Sequence, residues 1–148
     1  MDKLHLHYEV EGNDFVAAGE AAGQMKRTLR QLGIDFEIIR RCSICMYEGE
    51  INMVAHAEGG VADVIVAKDK IVITLEDTGP GITDMELAMQ EGYSTATQDV
   101  RELGFGAGMG LPNMKRYADE MTVESTPGVG TKVVMEIRIP SGEAGGSI

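Results

Sequence analysis

The sequence predicts a two-layer α/β (α+β) sandwich, in which three helices pack on one face of a mixed sheet. Strand-like and helix-like segments alternate in the order strand, two helices, hairpin, loop, helix and hairpin. The 148 residues include 43% hydrophobic and 25% charged residues, which is the usual size and composition of one globular domain. We therefore expect a single domain over residues 1–140 and a disordered tail over 141–148.

The N-terminal half is predicted to contain one strand and two helices. Polar and apolar residues alternate over 4–10, which indicates a strand. Apolar residues at spacings of three and four then predict an amphipathic helix over 15–32, with Gly33 at its C-terminal cap. A second long helix is predicted over 35–57 and ends before a pair of glycines.

The C-terminal half is predicted to contain four strands in two hairpins, 61–67 with 70–77 and 121–126 with 131–139. A helix over 111–120 precedes the second hairpin. Between the hairpins, residues 79–110 have little periodicity apart from a short helical piece at 85–90. A loop of this length in a small domain usually has a function, such as that of a lid.

Charge and hydropathy exclude several classes of function. Thirteen basic and 24 acidic residues give a net charge of -11, and nucleic-acid binding depends on basic residues. No window approaches the roughly 18 apolar residues of a membrane span, and the first ten residues lack an apolar signal core. We expect a soluble cytoplasmic protein that does not bind nucleic acid or membrane directly.

Cys42 and Cys45 lie three residues apart on the second predicted helix, so both thiols lie near one face. Two cysteines cannot build a disulfide framework, and we interpret them as reduced core thiols. A metal or redox role is the alternative, but there is no second cysteine pair to complete a ligand set.

A polar stripe follows the same helix, because Glu48, Asn52 and His56 are spaced four residues apart. A solvated helix face would explain such a stripe without any function. His56 fits the role of a hydrogen-bonding residue at the helix end better than a catalytic role. The stripe therefore gains a functional meaning only together with other motifs.

The segment EDTGPG at 76–81 follows a predicted central strand. Asp77 can accept a hydrogen bond from an exocyclic amine such as that of adenine, and the glycines allow close approach of the backbone to a ligand. The same residues also suit an ordinary turn. Turn and ligand site both remain open for this segment taken alone.

The segment GFGAGMGL at 104–111 contains four glycines directly before a predicted helix. Free amide N–H groups and a helix N-terminus together favour phosphate binding. Rossmann and Walker loops are the competing interpretations. A Rossmann loop lies near the start of a βαβ unit, and a Walker loop ends in Gly-Lys-Ser/Thr, and neither context is present.

Taken in order, these three segments resemble the Bergerat-fold ATPases of the GHKL superfamily, which include gyrase, MutL, heat-shock chaperones and histidine kinases. The resemblance covers about residues 35–138. It implies a mixed, mostly antiparallel sheet with three helices on one face, and a pocket that binds ATP and Mg²⁺. It implies that Glu48 is the catalytic carboxylate and Asn52 the magnesium ligand. The implied nucleotide contacts are Asp77, Gly79, Gly81, Gly104, Gly106, Gly108, Met109, Gly110, Leu111 and Thr131.

The sequences EGYST and GAGMGLPNMKRYADE bring the chain closest to stand-alone serine/threonine kinases of the anti-sigma class. This resemblance implies a STAS-domain anti-anti-sigma protein or a sigma factor as partner, and such proteins commonly dimerise through the sheet. Some of them have an arginine where this chain has Gly106, so Arg101 or Lys115 would have to reach the terminal phosphate. A nucleotide-gated binding switch without kinase activity and a histidine-kinase-like ATPase domain are the alternatives.

Overall fold

A computed structural model describes residues 3–12, 14, 17–56, 59–78 and 110–140. Within them the chain forms five strands and three helices. In chain order these are β1 (Leu4–Glu11), α1 (Glu20–Gln31), α2 (Phe36–His56), β2 (Gly59–Val66), β3 (Lys70–Asp77), α3 (Gly110–Tyr117), β4 (Glu120–Thr126) and β5 (Gly130–Arg138). The helical piece predicted at 85–90, the loop over 79–109 and the tail over 141–148 lie outside the described residues.

The five strands form one sheet in the order β1-β2-β3-β5-β4. Val64 pairs with Ile73 and Ile73 pairs with Met135, and all pairings between described strands are antiparallel. Both predicted hairpins are present. The predicted two-layer fold is confirmed, and the sheet is more regular than the mixed one expected, because β2–β3 and β4–β5 are tight hairpins and β5 returns antiparallel to β3.

One face of the sheet is apolar and is covered by the helices. Alternate residues of β2, β3 and β5 point to this face and are buried: Ala62, Val64, Val66, Ile71, Ile73, Leu75, Val133, Met135 and Ile137. The helices bury Met25, Leu29, Met46, Val54 and Met114 against them. Alternation along the strands and the stripes on the helices therefore build one core.

α1 begins at Glu20, later than the predicted start at residue 15, and residues 17–19 are not helical. Gly19, which directly precedes α1, has φ 93°, a left-handed conformation that does not occur inside a right-handed helix. The C-terminal end of α1 agrees with the prediction. Gly33 has φ 76° and donates its N–H to the Arg30 carbonyl at 3.1 Å, while Ile34 donates to Leu29 at 3.2 Å. These two bonds form a Schellman cap.

α3 ends at Tyr117 rather than at the predicted residue 120. The Asp119 N–H donates to the Glu136 carbonyl at 2.8 Å, so the chain has already joined the edge of β5 at this point. The Arg41 Nε of α2 donates to the Tyr117 carbonyl at 2.9 Å. A cation from the neighbouring helix thus satisfies a carbonyl at the end of α3.

Cys42 and Cys45 are free and fully buried, in agreement with their interpretation as core thiols. Burial raises the pKa of the Cys45 thiol to about 12 and that of Cys42 further, so both remain protonated at neutral pH. Among the described helices, none combines the length and apolar character needed to cross a bilayer.

Candidate functional site

α2 carries Glu48 and Asn52 one turn apart, and both side chains are partly buried. The helix is well anchored at its start, where the Asp35 carboxylate accepts a hydrogen bond from the Glu37 N–H at 3.0 Å. Between the two polar residues, Gly49 packs directly on β3. A Cβ at Gly49 would lie 1.9 Å from Leu75 Cδ1, so a larger residue would require the Leu75 side chain to move. The close approach holds Glu48 and Asn52 near the sheet.

Glu48 contacts the first turns of α3. The Asn113 Nδ2 donates a hydrogen bond to Glu48 Oε2 at 2.8 Å. Sequence reasoning missed Asn113, although it follows the glycine-rich segment and lies between the buried residues Leu111 and Met114. The available signal was a polar residue between two core positions on the helix that follows the glycine-rich segment.

Asn52 meets the first residue of the same helix. A Cβ placed on Gly110 would lie 2.7 Å from Asn52 Nδ2 and 2.8 Å from Oδ1. The Asn52 amide therefore lies directly against the backbone at the N-terminus of α3. A helix N-terminus has unpaired N–H groups and a positive end of the helix dipole, and both favour an anion.

Asp77 lies at the end of β3 and is held to the neighbouring strand. Its Oδ1 accepts a hydrogen bond from the Thr131 N–H at 3.1 Å. The Thr131 hydroxyl lies 2.9 Å from the Ser125 hydroxyl of β4. A Cβ on Gly130 would lie 2.1 Å from the Asp77 carbonyl oxygen, so glycine is required for this packing. The predicted residues Asp77 and Thr131 are therefore in direct contact.

Gly60 connects this end of the sheet with α2. A Cβ at Gly60 would lie 2.9 Å from both Asp77 Cα and Met53 Sδ. Met53 directly follows Asn52 in the helix. The end of β3 and the last turns of α2 are consequently neighbours, and the residues predicted from separate motifs lie on one side of the domain.

The remaining predicted residues divide into two groups. Leu111 is largely buried in the core beside Met114, so its side chain has a packing role. His56 is the last residue of α2, and its side chain is outside the described part of the chain. Also outside it are Gly79, Gly81, Gly104, Gly106, Gly108, Met109 and Arg101.

The donor set of the described site fits a magnesium ion that is bound through a nucleotide. Among the described residues, no group of three or more His, Cys, Asp or Glu side chains forms a metal cage. Mg²⁺ commonly takes one or two protein oxygens and completes its octahedron with phosphate oxygens and water. The Asn52 amide beside Gly110 could supply one such oxygen next to the helix N-terminus.

Comparison with known protein families defines the class of this protein. The family model of the Histidine kinase-, DNA gyrase B-, and HSP90-like ATPases matches residues 40–141, more than half of the 148 residues. The chain belongs to this ATPase family. The resemblance drawn from the three motifs is thereby confirmed.

Within this family, the chain is similar to proteins that are named anti-sigma F factor or serine/threonine-protein kinase. An anti-sigma F factor of Thermoanaerobacter sp. (strain X514) is 37% identical over 99 residues, covering 67% of this chain and 62% of the relative. The serine/threonine-protein kinase RsbT of Bacillus subtilis (strain 168) is 31% identical over 118 residues, covering 76% of this chain and 83% of that kinase. The anti-sigma F factor of the same strain is 28% identical over 111 residues, covering 71% of this chain and 73% of that protein. This chain thus spans less than two thirds of the first of these relatives.

Proposed function

We propose that this protein is an ATP-dependent regulatory serine/threonine kinase of the anti-sigma class, and that it phosphorylates a STAS-domain antagonist protein. The observation that carries the proposal is the convergence of Glu48 and Asn52 on the start of α3, where they meet Asn113 and Gly110. Membership of the ATPase family and similarity to a protein named serine/threonine-protein kinase support it.

In this proposal the nucleotide lies between α2, the end of β3 and the N-terminus of α3. Asp77 accepts a hydrogen bond from the adenine amine, and Thr131 lines the adenine side of the pocket. The proposed backbone contacts to nucleotide are Gly79, Gly81, Gly104, Gly106, Gly108, Met109, Gly110 and Leu111. The helix N-terminus at Gly110 favours the charge of the phosphates.

Glu48 acts as the general base in the proposed reaction. The acceptor hydroxyl transfers its proton to the Glu48 carboxylate while its oxygen forms a bond to the terminal phosphorus of ATP. The bond between that phosphorus and the bridging oxygen breaks, and its electron pair leaves with ADP. Asn52 would hold Mg²⁺, which supplies positive charge to the phosphate oxygens.

Phosphate transfer to a STAS-domain protein from the same genome tests the proposal. With ATP labelled at the terminal phosphate, we expect acid-stable label on a serine or threonine of that protein. Glu48→Gln should abolish labelling, whereas Gln24→Leu, which removes an amide–carboxylate bond on exposed α1, should retain it. If ATP binds but every STAS-domain protein remains unlabelled, the kinase proposal is wrong. Acid-labile label would indicate phosphohistidine instead.

A nucleotide-gated binding switch is the second candidate, and the names of the relatives favour it. Most of the compared relatives are named anti-sigma F factor, not kinase. In this role ATP binding would change the affinity for a sigma factor without phosphate transfer. Capture of a sigma factor that requires ATP and survives Glu48→Gln would support the switch over the kinase.

A further inference from the structure

Asn113 has an unusual environment for a residue inside a helix. It lies between Leu111 and Met114, which are both buried, and asparagine is a weaker helix former than leucine or alanine. Its amide donates across to α2, to a carboxylate 65 residues away in the sequence. The Asn113 side chain therefore joins α3 to α2, although asparagine favours the helix itself less than leucine or alanine would.

The contact engages only one of the two Glu48 oxygens. Oε2 accepts the hydrogen bond from Asn113 at 2.8 Å. Within the part of the chain that the structure describes, Oε1 has no hydrogen-bond donor. Asn113 thus fixes the orientation of the carboxylate through one oxygen, and no other described residue competes for the second oxygen as a proton acceptor.

An amide is chemically well suited to this position. A lysine or arginine in place of Asn113 would form an ion pair and favour the charged carboxylate, which would weaken it as a proton acceptor. A neutral N–H donor orients the carboxylate with a much weaker effect of this kind. Asn113 therefore provides orientation while the carboxylate keeps its function as a base.

The first turn of α3 contacts Asn52 as well as Glu48. Gly110 and Asn113 are three residues apart and lie on one side of the helix, where they meet Asn52 and Glu48 respectively. A displacement of this turn would therefore move both contacts together. The first turns of α3 set the relative positions of the two functional residues of α2.

We propose that Asn113 is a positioning residue for Glu48, holding Oε2 so that Oε1 takes the proton of the acceptor. This inference rests on the proposed phosphotransfer function and adds to it a residue that the motifs do not include. Misplacement of a reacting group by about 1 Å can lower a rate by about 100-fold. Loss of the Asn113 amide should therefore affect the rate far more than nucleotide binding.

The test compares Asn113→Leu, Asn113→Asp, Glu48→Gln and the control Gln24→Leu in the full chain. Single-turnover release of phosphate from Mg·ATP, with water as acceptor, gives the rate between pH 5.5 and 9. Calorimetry gives the ATP affinity, and urea unfolding reports whether each variant folds. The matched control removes an exposed amide–carboxylate bond between Gln24 and Glu20, at 3.3 Å, far from Glu48 in the chain.

We expect Asn113→Leu to lower the rate by about 10- to 100-fold while ATP affinity changes by less than about 3-fold. Its urea midpoint should equal or exceed that of the original chain, because leucine is the better helix former. Asn113→Asp should move the half-maximal rate to higher pH, since two adjacent carboxylates share a proton more readily. A purely structural role of Asn113 would instead lower the ATP affinity and the urea midpoint along with the rate.

The outcomes separate the positioning role from the function on which it rests. If Glu48→Gln is inactive but Asn113→Leu turns over like the original chain, the positioning role alone is wrong. An unmoved pH profile in Asn113→Asp also contradicts it. If Glu48→Gln retains the full rate, the proposed role of Glu48 as base is wrong and the role of Asn113 falls with it. If the original chain releases no phosphate to water, the same variants are compared by label transfer to the STAS-domain protein, whose absence contradicts the kinase function itself.

Discussion

At the scale of single residues, the contact between α2 and the start of α3 requires a glycine at position 110. Gly110 has no Cβ, and the Asn52 amide occupies the space beside it, 2.7 Å from where a Cβ would lie. Gly23 is also helical, but there a Cβ would meet only Arg27 Nη1 at 3.7 Å, an ordinary contact. Gly23 therefore serves as a control for Gly110, because a methyl group added there meets no residue of the candidate site.

We predict that Gly110→Ala removes most Mg²⁺-dependent ATP binding and that Gly23→Ala does not. Alanine favours a helix over glycine by up to about 1 kcal/mol, so Gly23→Ala should raise the free energy of unfolding by that order. In Gly110→Ala the new methyl group displaces the Asn52 amide. Calorimetry with ATP and urea unfolding of both variants check this, and full ATP affinity in Gly110→Ala would contradict it.

Asn52 and Asp77 should have separable effects on the nucleotide. Asn52→Ala should make the remaining ATP binding independent of Mg²⁺, because the proposed ligand oxygen is lost. Asp77→Asn keeps an acceptor for the Thr131 N–H but loses a charged acceptor for adenine. We expect about 10- to 100-fold weaker ATP binding and reduced discrimination against GTP. Unchanged affinities of both variants would remove the site assignment.

Sequence patterns could place Glu48 and Asn52 on one helix stripe and Asp77 at a strand end, because helical spacing and strand ends are local properties. Their proposed roles came from the resemblance to the ATPase family. The patterns could not indicate that Asn113 bonds Glu48, since that contact depends on how α3 packs on α2. Nor could they show that Asp77 is held by the Thr131 backbone from another strand. Long-range partners depend on tertiary packing that a single sequence does not display.

At the scale of elements, the start of α1 is set by α2. The Glu50 carboxylate is only 3% exposed and accepts hydrogen bonds from the N–H groups of Gly19, Ala21 and Ala22 at 3.0 to 3.1 Å. The predicted start at residue 15 was wrong because the cap comes from a residue about 30 positions away. A buried carboxylate at a helix N-terminus satisfies orphan N–H groups and the helix dipole together.

We predict that Glu50→Gln lowers the free energy of unfolding by about 2 kcal/mol, because the amide nitrogen cannot accept a hydrogen bond from a backbone N–H. Glu50→Ala should be more destabilising, by about 3 kcal/mol, since it leaves buried N–H groups without an acceptor. Urea unfolding measures both, with exposed Glu9→Gln as control. Destabilisation of Glu50→Gln no greater than that of the control would show that the cap contributes little.

At the scale of the whole molecule, the order of elements and the apolar faces could be predicted, because both follow from periodicity. The order of strands in the sheet could not, since β5 lies between β3 and β4 and this placement depends on non-local pairing. The three helices within the described ranges all lie on one face of the sheet. On the opposite face His5 and His7 of β1 both bond Asp63 Oδ1 of β2, at 2.9 and 2.7 Å.

This cluster should make the attachment of β1 dependent on pH. The hydrogen bond with Asp63 raises the pKa of His7 above 6.5, and the hydrogen bond with His7 lowers the pKa of Asp63 below 3.8. The His7 contribution to stability is present below about pH 6.5 and is lost as pH rises through the folded pKa. The Asp63 contribution is present above about pH 4 and is lost as pH falls through its folded pKa.

We therefore predict that Asp63→Asn destabilises the protein more at pH 5.5 than at pH 8.5. At pH 5.5 the imidazolium and the carboxylate are both charged, and the charge of His7 is lost as pH rises through its raised folded pKa. Urea midpoints of both chains at the two pH values measure the difference, which should shrink in 0.5 M NaCl because the pair is exposed to solvent. An equal loss at both pH values would mean that the cluster acts through neutral hydrogen bonds alone.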